Sequence, residues 1–131
     1  MDDTDKLLIT LLKENSRLSY KQLSQQIHLS QPAVKERIEK LLETKTISKF
    51  TIETGDLKNQ ISAFLHIKTS QCLELEATLY SLKYVENVYR MAGYYNYCAE
   101  IQCENHNQLL EVQKSLRSYG PSQLHIITER L

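Results

Sequence analysis

The stretch HLSQPAVKERIEKL, residues 28–41, is typical of the second helix of a helix-turn-helix. Ser30 is a favourable N-cap residue, and Pro32 follows in the first turn, where its missing N–H costs no hydrogen bond. Apolar side chains then recur at helical spacing, as at Val34 and Ile38. The stretch therefore predicts a helix with one buried side and one polar side.

Two further helices are predicted upstream. Asp2 and Asp5 flank the start of the first, and Ser19 and Gln22 have the spacing of a capping box at the start of the second. A stripe of leucines marks the buried side of the first helix: Leu7, Leu8, Leu11 and Leu12. Only two residues separate the second helix from the third cap, and so short a connection makes the helices cross steeply, as in a helix-turn-helix. The first of these residues, His28, must tolerate positive φ, which glycine does more easily.

An alternation of apolar and polar residues follows the third helix. Residues 47–52 predict a short strand or wing, and residues 53–60 contain Gly55 and little apolar surface, which is typical of a linker. We therefore predict a winged helix-turn-helix over residues 1–52, a linker over 53–60 and a second domain over 61–131.

The second domain alternates strand and helix patterns. Its predicted order is β-α-β-β-α-β, an α+β, ferredoxin-like arrangement. The strands are expected at 61–67, 85–92, 95–104 and 124–131, and the helices around Leu75–Leu82 and Leu109–Leu116. Both helices cover one face of such a sheet. The third strand must place either Tyr95, Tyr97, Ala99, Ile101 and Cys103 or the more polar alternate set on the bare face, so we expect apolar surface there to meet a partner.

Charge is distributed unevenly along the 131 residues, although 16 basic and 16 acidic residues cancel. Residues 16–49 carry seven Lys/Arg against three Asp/Glu, whereas residues 51–131 carry seven against nine. This asymmetry is a hint of a nucleic-acid partner for the first part only. An acidic N-terminus and the lack of a long apolar run speak against a secretory signal or a membrane span, and the three cysteines lack disulfide-framework or zinc spacing, so we expect a cytoplasmic protein.

Catalytic and metal-binding patterns are missing from the sequence. His66, His106 and His125 are scattered, without other ligands at metal-binding spacing, and no nucleophile, base and orienting group can be assembled. We therefore expect no metal, no cofactor and no enzymatic activity. A tyrosine cluster surrounds Gly93, and it is consistent either with packing or with a pocket for a small ligand.

Both halves together resemble the Lrp/AsnC (leucine-responsive, feast/famine) family of transcriptional regulators. Arg17-Leu-Ser-Tyr-Lys-Gln-Leu23 is similar to the family's "R-x-S/T-Y-x-x-L" pattern, and residues 29–37 are similar to "L-S-x-x-x-V-x-x-R". Gly93-Tyr-Tyr-Asn-Tyr97 is similar to the "G-x-x-D-Y" turn of the family's RAM domain. The resemblance covers essentially the whole chain.

The resemblance implies a homodimer formed through the RAM sheets, often assembled into octamers, that binds double-stranded DNA. The groove-facing candidates carried over by position are Ser30, Gln31, Pro32, Ala33, Lys35 and Glu36. The candidates for contacting the DNA backbone are Tyr20, Lys21, Arg37, Lys40 and Lys49. For Arg37, which lies close to the apolar stripe, a structural salt bridge with the first helix is an equal alternative.

The resemblance also implies an amino-acid effector bound near the Gly93 turn, lined by Gly93, Tyr94, Tyr95 and Asn96. Asn96 stands where the family has aspartate, so the charge that would face an ammonium group is lost, and a charge-assisted hydrogen bond is about twice as strong as a neutral one. We therefore expect weak amino-acid binding or a different effector, and a purely structural turn is the alternative. His28 likewise replaces the usual glycine, and Lys45-Thr46 replaces the usual "E-G".

Three functions are compatible with these patterns. The first is a sequence-specific bacterial or archaeal transcription regulator associated with the nucleoid. The second is an architectural protein that bends DNA with little base preference, which a small specificity ratio would indicate. The third is an amino-acid sensor that uses its helix-turn-helix to contact another protein, and absence of DNA binding at low salt would favour it.

Overall fold

The computed structural model describes residues 1–55 and 59–131. The chain divides into two compact units, Met1–Thr54 and Gly55–Leu131, each of which is described by itself. The predicted linker, residues 53–60, lies partly outside the described residues. Within the described ranges, every helix is too short or too polar to cross a lipid bilayer.

Three helices form the first unit: α1 (Asp3–Glu14), α2 (Tyr20–Ile27) and α3 (Gln31–Glu43). Each begins at a side-chain cap, as the sequence predicts. Asp2 and Asp5 form a reciprocal capping box at α1, and Ser19 and Gln22 form another at α2. The Ser30 hydroxyl accepts the Ala33 N–H at α3. Local sequence therefore sets where all three helices begin.

The core of the first unit is narrower than the predicted leucine stripe. Leu8 and Leu12 are buried against α2 and α3, but Leu7 is 44% exposed. Successive helical residues are about 100° apart, so Leu7 lies beside the buried face and not on it. The residues that form this core are Leu8, Leu12, Leu23, Val34 and Ile38.

The predicted strand at residues 47–52 is absent from the chain. These residues follow α3 without regular structure, and Ile47 alone of their apolar side chains packs against the core. Phe50 and Ile52 are exposed. A strand needs a hydrogen-bonding neighbour, and residues 1–55 contain no other strand.

The second unit has the predicted order β1 (Ile61–Ile67), α4 (Cys72–Ser81), β2 (Val85–Arg90), β3 (Tyr97–Cys103), α5 (His106–Leu116) and β4 (Ser122–Ile126), with a short 3₁₀ helix at Arg117–Tyr119. The four strands form one antiparallel sheet in the spatial order β2-β3-β1-β4. The predicted ferredoxin-like fold is confirmed.

The strands differ from the prediction at their ends. The last strand is Ser122–Ile126 instead of 124–131, and its pairing with β1 ends at Ala63, opposite Ile126. The Ile127 N–H makes a final bond to the Ser62 carbonyl at 2.8 Å. β2 and β3 are likewise shorter than predicted, since residues 91–96 form the turn between them.

Alternation along β3 decides which face is covered. Tyr97, Ala99, Ile101 and Cys103 are buried beneath α4 and α5, in one core with β1. The more polar set therefore lies on the opposite side, which we call the open face. The register places these residues on the open face: Ser62, Phe64, His66, Asn87, Tyr89, Cys98, Glu100, Gln102, Gln123 and His125.

Candidate nucleic-acid interface

The turn between α2 and α3 has the backbone conformation that a helix-turn-helix requires. His28 adopts the left-handed conformation, with φ 56° and ψ 41°, at the C-cap of α2. The Leu29 N–H then bonds to the Ser24 carbonyl at 3.2 Å, and Ser30 caps α3. Histidine tolerates this conformation because its side chain is not branched at Cβ, although it is more strained than glycine there.

One side of α3 is buried and the other is exposed. Val34, Ile38 and Leu41 are buried, which fixes the rotation of the helix about its axis. The exposed candidates on or beside α3 are Ser30, Gln31, Pro32, Lys35, Glu36 and Lys40, and Ala33 and Arg37 are half-buried. The Ser30 hydroxyl is already used as the cap.

Charges on this exposed side are only weakly paired. Lys35 lies 3.7 Å from Glu39, and both side chains are more than half exposed. Such surface pairs contribute about 0–1 kcal/mol, so Lys35 can leave Glu39 for a phosphate or a base. Lys40 forms no ion pair among the described residues.

Arg37 joins α3 to the start of α1. Its NH1 group donates to Asp2 Oδ2 at 2.7 Å and to Asp5 Oδ1 at 2.8 Å. The hydrogen bond from Arg37 lowers the pKa of the Asp2 carboxyl, and the two carboxylates raise the pKa of Arg37. This geometry is that of a structural salt bridge, and it uses the NH1 group of the guanidinium.

The remaining candidates for contacting the DNA backbone lie outside α3. Tyr20 and Lys21 are exposed in the first turn of α2. Lys49 lines an open groove of about 580 Å³ between the end of α1 and residues 46–53, together with Lys13 and Arg17. Sequence reasoning missed Lys13 and Arg17, because only the fold of the segment after α3 brings them beside Lys49.

In the second unit, the candidate effector residues lie in the turn between β2 and β3. Gly93 has φ 144°, a conformation that side chains rarely adopt. The Tyr94 and Tyr95 rings meet edge to face at 4.9 Å, and Lys68 Nζ lies 4.3 Å from the centre of the Tyr94 ring. Tyr94 is largely exposed, so these groups are accessible from solvent.

Asn96 holds this turn against the loop between β1 and α4. Its Oδ1 accepts the Thr69 N–H at 2.9 Å, and its Nδ2 donates to the Thr69 carbonyl at 2.9 Å. Thr69 is buried. Both polar functions of the Asn96 amide are therefore used within the fold.

A charged network surrounds the buried Tyr97 hydroxyl. It donates to Glu76 Oε1 at 2.7 Å, and Arg90 Nε donates to the same oxygen at 2.6 Å. The bond to Glu76, with burial, raises the pKa of Tyr97 to about 12. The bonds from Tyr97 and Arg90 lower the pKa of Glu76. Within the described ranges, no three His, Cys, Asp or Glu side chains are placed to hold a metal ion.

Comparison with known proteins finds similarity to regulators of the same kind. The model of the AsnC-type helix-turn-helix domain matches residues 1–42. The HTH-type transcriptional regulator FL11 of Pyrococcus furiosus is 30% identical over 113 residues, which cover 83% of this chain and 75% of FL11. The structure of Bacillus subtilis LrpC superposes with a TM-score of 0.88 at 27% identity, covering 100% of this chain and 96% of LrpC.

A third similarity is to the fold alone. The structure of the Neisseria meningitidis regulator NMB0573 in complex with L-Met has a TM-score of 0.86 at 18% identity, covering 100% of this chain and 92% of that one.

The helix-turn-helix and the sheet domain that follows it in the sequence define a DNA-binding transcriptional regulator and not an enzyme. The chain belongs to the Lrp/AsnC family of HTH-type transcriptional regulators.

Proposed function

We propose that the N-terminal half of α3 enters the major groove of double-stranded DNA and reads its sequence. The observation that carries this proposal is the exposed polar side of α3, whose rotation is fixed by the buried Val34, Ile38 and Leu41. Gln31 is in the first turn, where recognition helices contact base edges. An amide side chain pairs with adenine through two hydrogen bonds. Ser30, Pro32, Ala33, Lys35 and Glu36 complete the groove-facing set.

Phosphate contacts in this proposal come from Tyr20, Lys21, Lys40 and Lys49, all of which are exposed. We assign Arg37 to positioning instead, because Asp2 and Asp5 already bind its NH1 group. Its part in DNA binding is to hold α3 against α1.

Two substitutions separate base reading from phosphate binding. Gln31→Ala should change the preferred sequence in a binding-site selection experiment. Lys40→Ala should weaken binding to all sequences and reduce the slope of log K against log salt by about 0.9. Lys114→Ala, an exposed lysine of α5 in the other unit, is the matched control and should leave both unchanged.

The alternatives predict other outcomes. A preferred sequence that is unaltered in Gln31→Ala would contradict base reading by that residue. A small ratio of specific to random-DNA affinity in the parent would favour the architectural alternative. No binding by the parent at low salt would favour the protein-interaction alternative.

Members of the family are oligomeric. We propose that this chain dimerises through the open face of its sheet and assembles further, with the octamer as the expected larger form. Phe64 is half-buried and Tyr89 is exposed on that face. They support the proposal because helices cover only the other face of the sheet, so in a single chain these aromatic side chains face solvent. Light scattering should give at least twice 15.3 kDa at micromolar concentration. A mass of one chain would contradict the dimer.

The proposed DNA binding places the protein on chromosomal DNA in the cytoplasm.

We propose that any amino-acid effector contacts Gly93, Tyr94 and Tyr95, while Asn96 holds the turn in place. The NMB0573 complex with L-Met supports an amino-acid ligand for this fold. Asn96 has neither a charge nor a free amide group for an ammonium ion, so ordinary amino acids should bind weakly. Calorimetric titration with the twenty amino acids tests this, and micromolar binding of one of them would contradict it.

A further inference from the structure

Glu36 lies at the centre of the exposed side of α3. Val34 and Ile38, which are buried, stand two residues before it and two residues after it. Successive helical residues are about 100° apart, so Glu36 is rotated about 160° from each of these buried neighbours. Lys35 is rotated only about 100° from Val34. Glu36 therefore points more directly away from the core than Lys35 does.

The carboxylate of Glu36 is available to an external partner. Glu36 is exposed, and in the part of the chain that the structure describes it forms neither an ion pair nor a hydrogen bond. Lys35 pairs with Glu39 instead, and Lys40, one turn further along α3, is not within ion-pair distance of Glu36. In the proposed complex, α3 therefore brings an unpaired negative charge to the DNA.

An acidic side chain on this side of α3 needs a hydrogen-bond donor on a base edge. The DNA backbone repels the carboxylate, because each phosphate carries a negative charge. In the major groove the donors are the amino groups of cytosine (N4) and adenine (N6), whereas guanine and thymine present acceptors. Adenine also places its acceptor N7 beside the amino group, which suits an amide better than a carboxylate. Cytosine is therefore the base that best matches Glu36.

We propose that Glu36 is a specificity-determining residue that selects cytosine in the binding site by accepting a hydrogen bond from its N4 amino group. The proposal rests on the major-groove binding of α3 proposed above. Glu36 acts largely by exclusion, because a guanine or thymine at this position places base acceptors against its carboxylate. It thereby lowers the affinity for most sequences and leaves the sites with a suitably placed cytosine favoured.

Selection of binding sites from random duplexes by the full-length protein, followed by anisotropy titration of single-base variants, tests this role. The sites selected by the parent should share a cytosine at one position, and its exchange for thymine should weaken binding by about 5- to 150-fold. Glu36→Ala should lose this discrimination and bind random DNA more tightly. Glu36→Gln should shift the preference at that position toward adenine, because an amide pairs with adenine through two hydrogen bonds.

Glu43→Ala is the matched control. Glu43 is the exposed last residue of α3, about 10 Å further along the helix than Glu36. The control removes the same charge, so it can raise the affinity for all sequences alike, but it should leave the selected sequence unchanged. Glu36 and Glu43 are both exposed, so neither substitution disturbs the core.

A cytosine preference that persists in Glu36→Ala would overturn the proposal, as would parental sites without a shared cytosine. A change of preference in Glu43→Ala equal to that in Glu36→Ala would overturn it as well. A preference altered by Gln31→Ala but not by Glu36→Ala would exclude Glu36 from base reading and leave the proposed function standing. A parent without any sequence preference would overturn both.

Discussion

Replacing Asn96 with aspartate restores the residue that the family pattern has at this position, yet we expect it to destabilise the protein. The Asn96 amide donates one hydrogen bond to the buried Thr69 backbone and accepts another, both at 2.9 Å. A carboxylate can accept the N–H, but it has no hydrogen for the Thr69 carbonyl and repels it. Leaving that carbonyl without a donor costs about 1–3 kcal/mol, and the stronger, charge-assisted N–H bond offsets about 1 kcal/mol.

The expected net loss is about 1–2 kcal/mol in the free energy of unfolding at pH 7. Protonation would give the carboxyl a hydrogen for the Thr69 carbonyl, so the fold should raise the pKa of the introduced carboxyl. The destabilisation should therefore be full at neutral pH and should shrink as pH falls through that raised pKa toward the unfolded value near 3.9.

Urea unfolding at pH 7 and pH 4, at one fixed protein concentration, measures this effect. Asn105→Asp is the matched control, because Asn105 caps α5 through an oxygen that accepts the Gln108 N–H, and a carboxylate serves equally well there. The control should be as stable as the parent or slightly more stable. An Asn96→Asp protein as stable as the parent at pH 7 would refute the role of Nδ2 as an essential donor.

Three further predictions follow from single contacts. The pKa of Asp2 is lowered by its bond to Arg37, so this bond stabilises the fold above about pH 4, and the stabilisation is lost as pH falls below that value. Asp2→Asn should therefore flatten the acid side of a curve of Tm against pH. A curve with the same slope as that of the parent would count against this. Tyr97→Phe should lower the free energy of unfolding in urea by about 1–2 kcal/mol. Because the pKa of Tyr97 is raised to about 12, the parent should lose stability as pH rises from 10 to about 12, and Tyr97→Phe should remove this loss. A parent whose stability does not change over this pH range would contradict the prediction. His28→Gly should raise stability by about 0.5–1 kcal/mol, since relief of the left-handed strain exceeds the entropy that glycine adds to the unfolded chain; a drop in Tm would disprove this.

The sequence by itself determines the local features of this protein. Caps at Asp2, Ser19 and Ser30 begin the three helices where they are predicted, since each cap depends only on side chains within three residues. The positive φ of His28 follows from the two-residue turn. Alternation and helical spacing are equally local, and they predict the β-α-β-β-α-β order of the second unit.

Tertiary structure decides whatever depends on contacts between distant residues. From the sequence, a contact with the DNA backbone and a salt bridge with the first helix are equal alternatives for Arg37. Only the packing of α1 on α3 brings Asp2 and Asp5 to its guanidinium group. Strand ends depend on pairing with a neighbouring strand, so the last strand stops at Ile126, opposite Ala63, in spite of its β-branched continuation. His66 and His125 become neighbours only through the pairing of β4 with β1, because register between distant strands is fixed by the whole sheet and leaves no signal in sequence spacing.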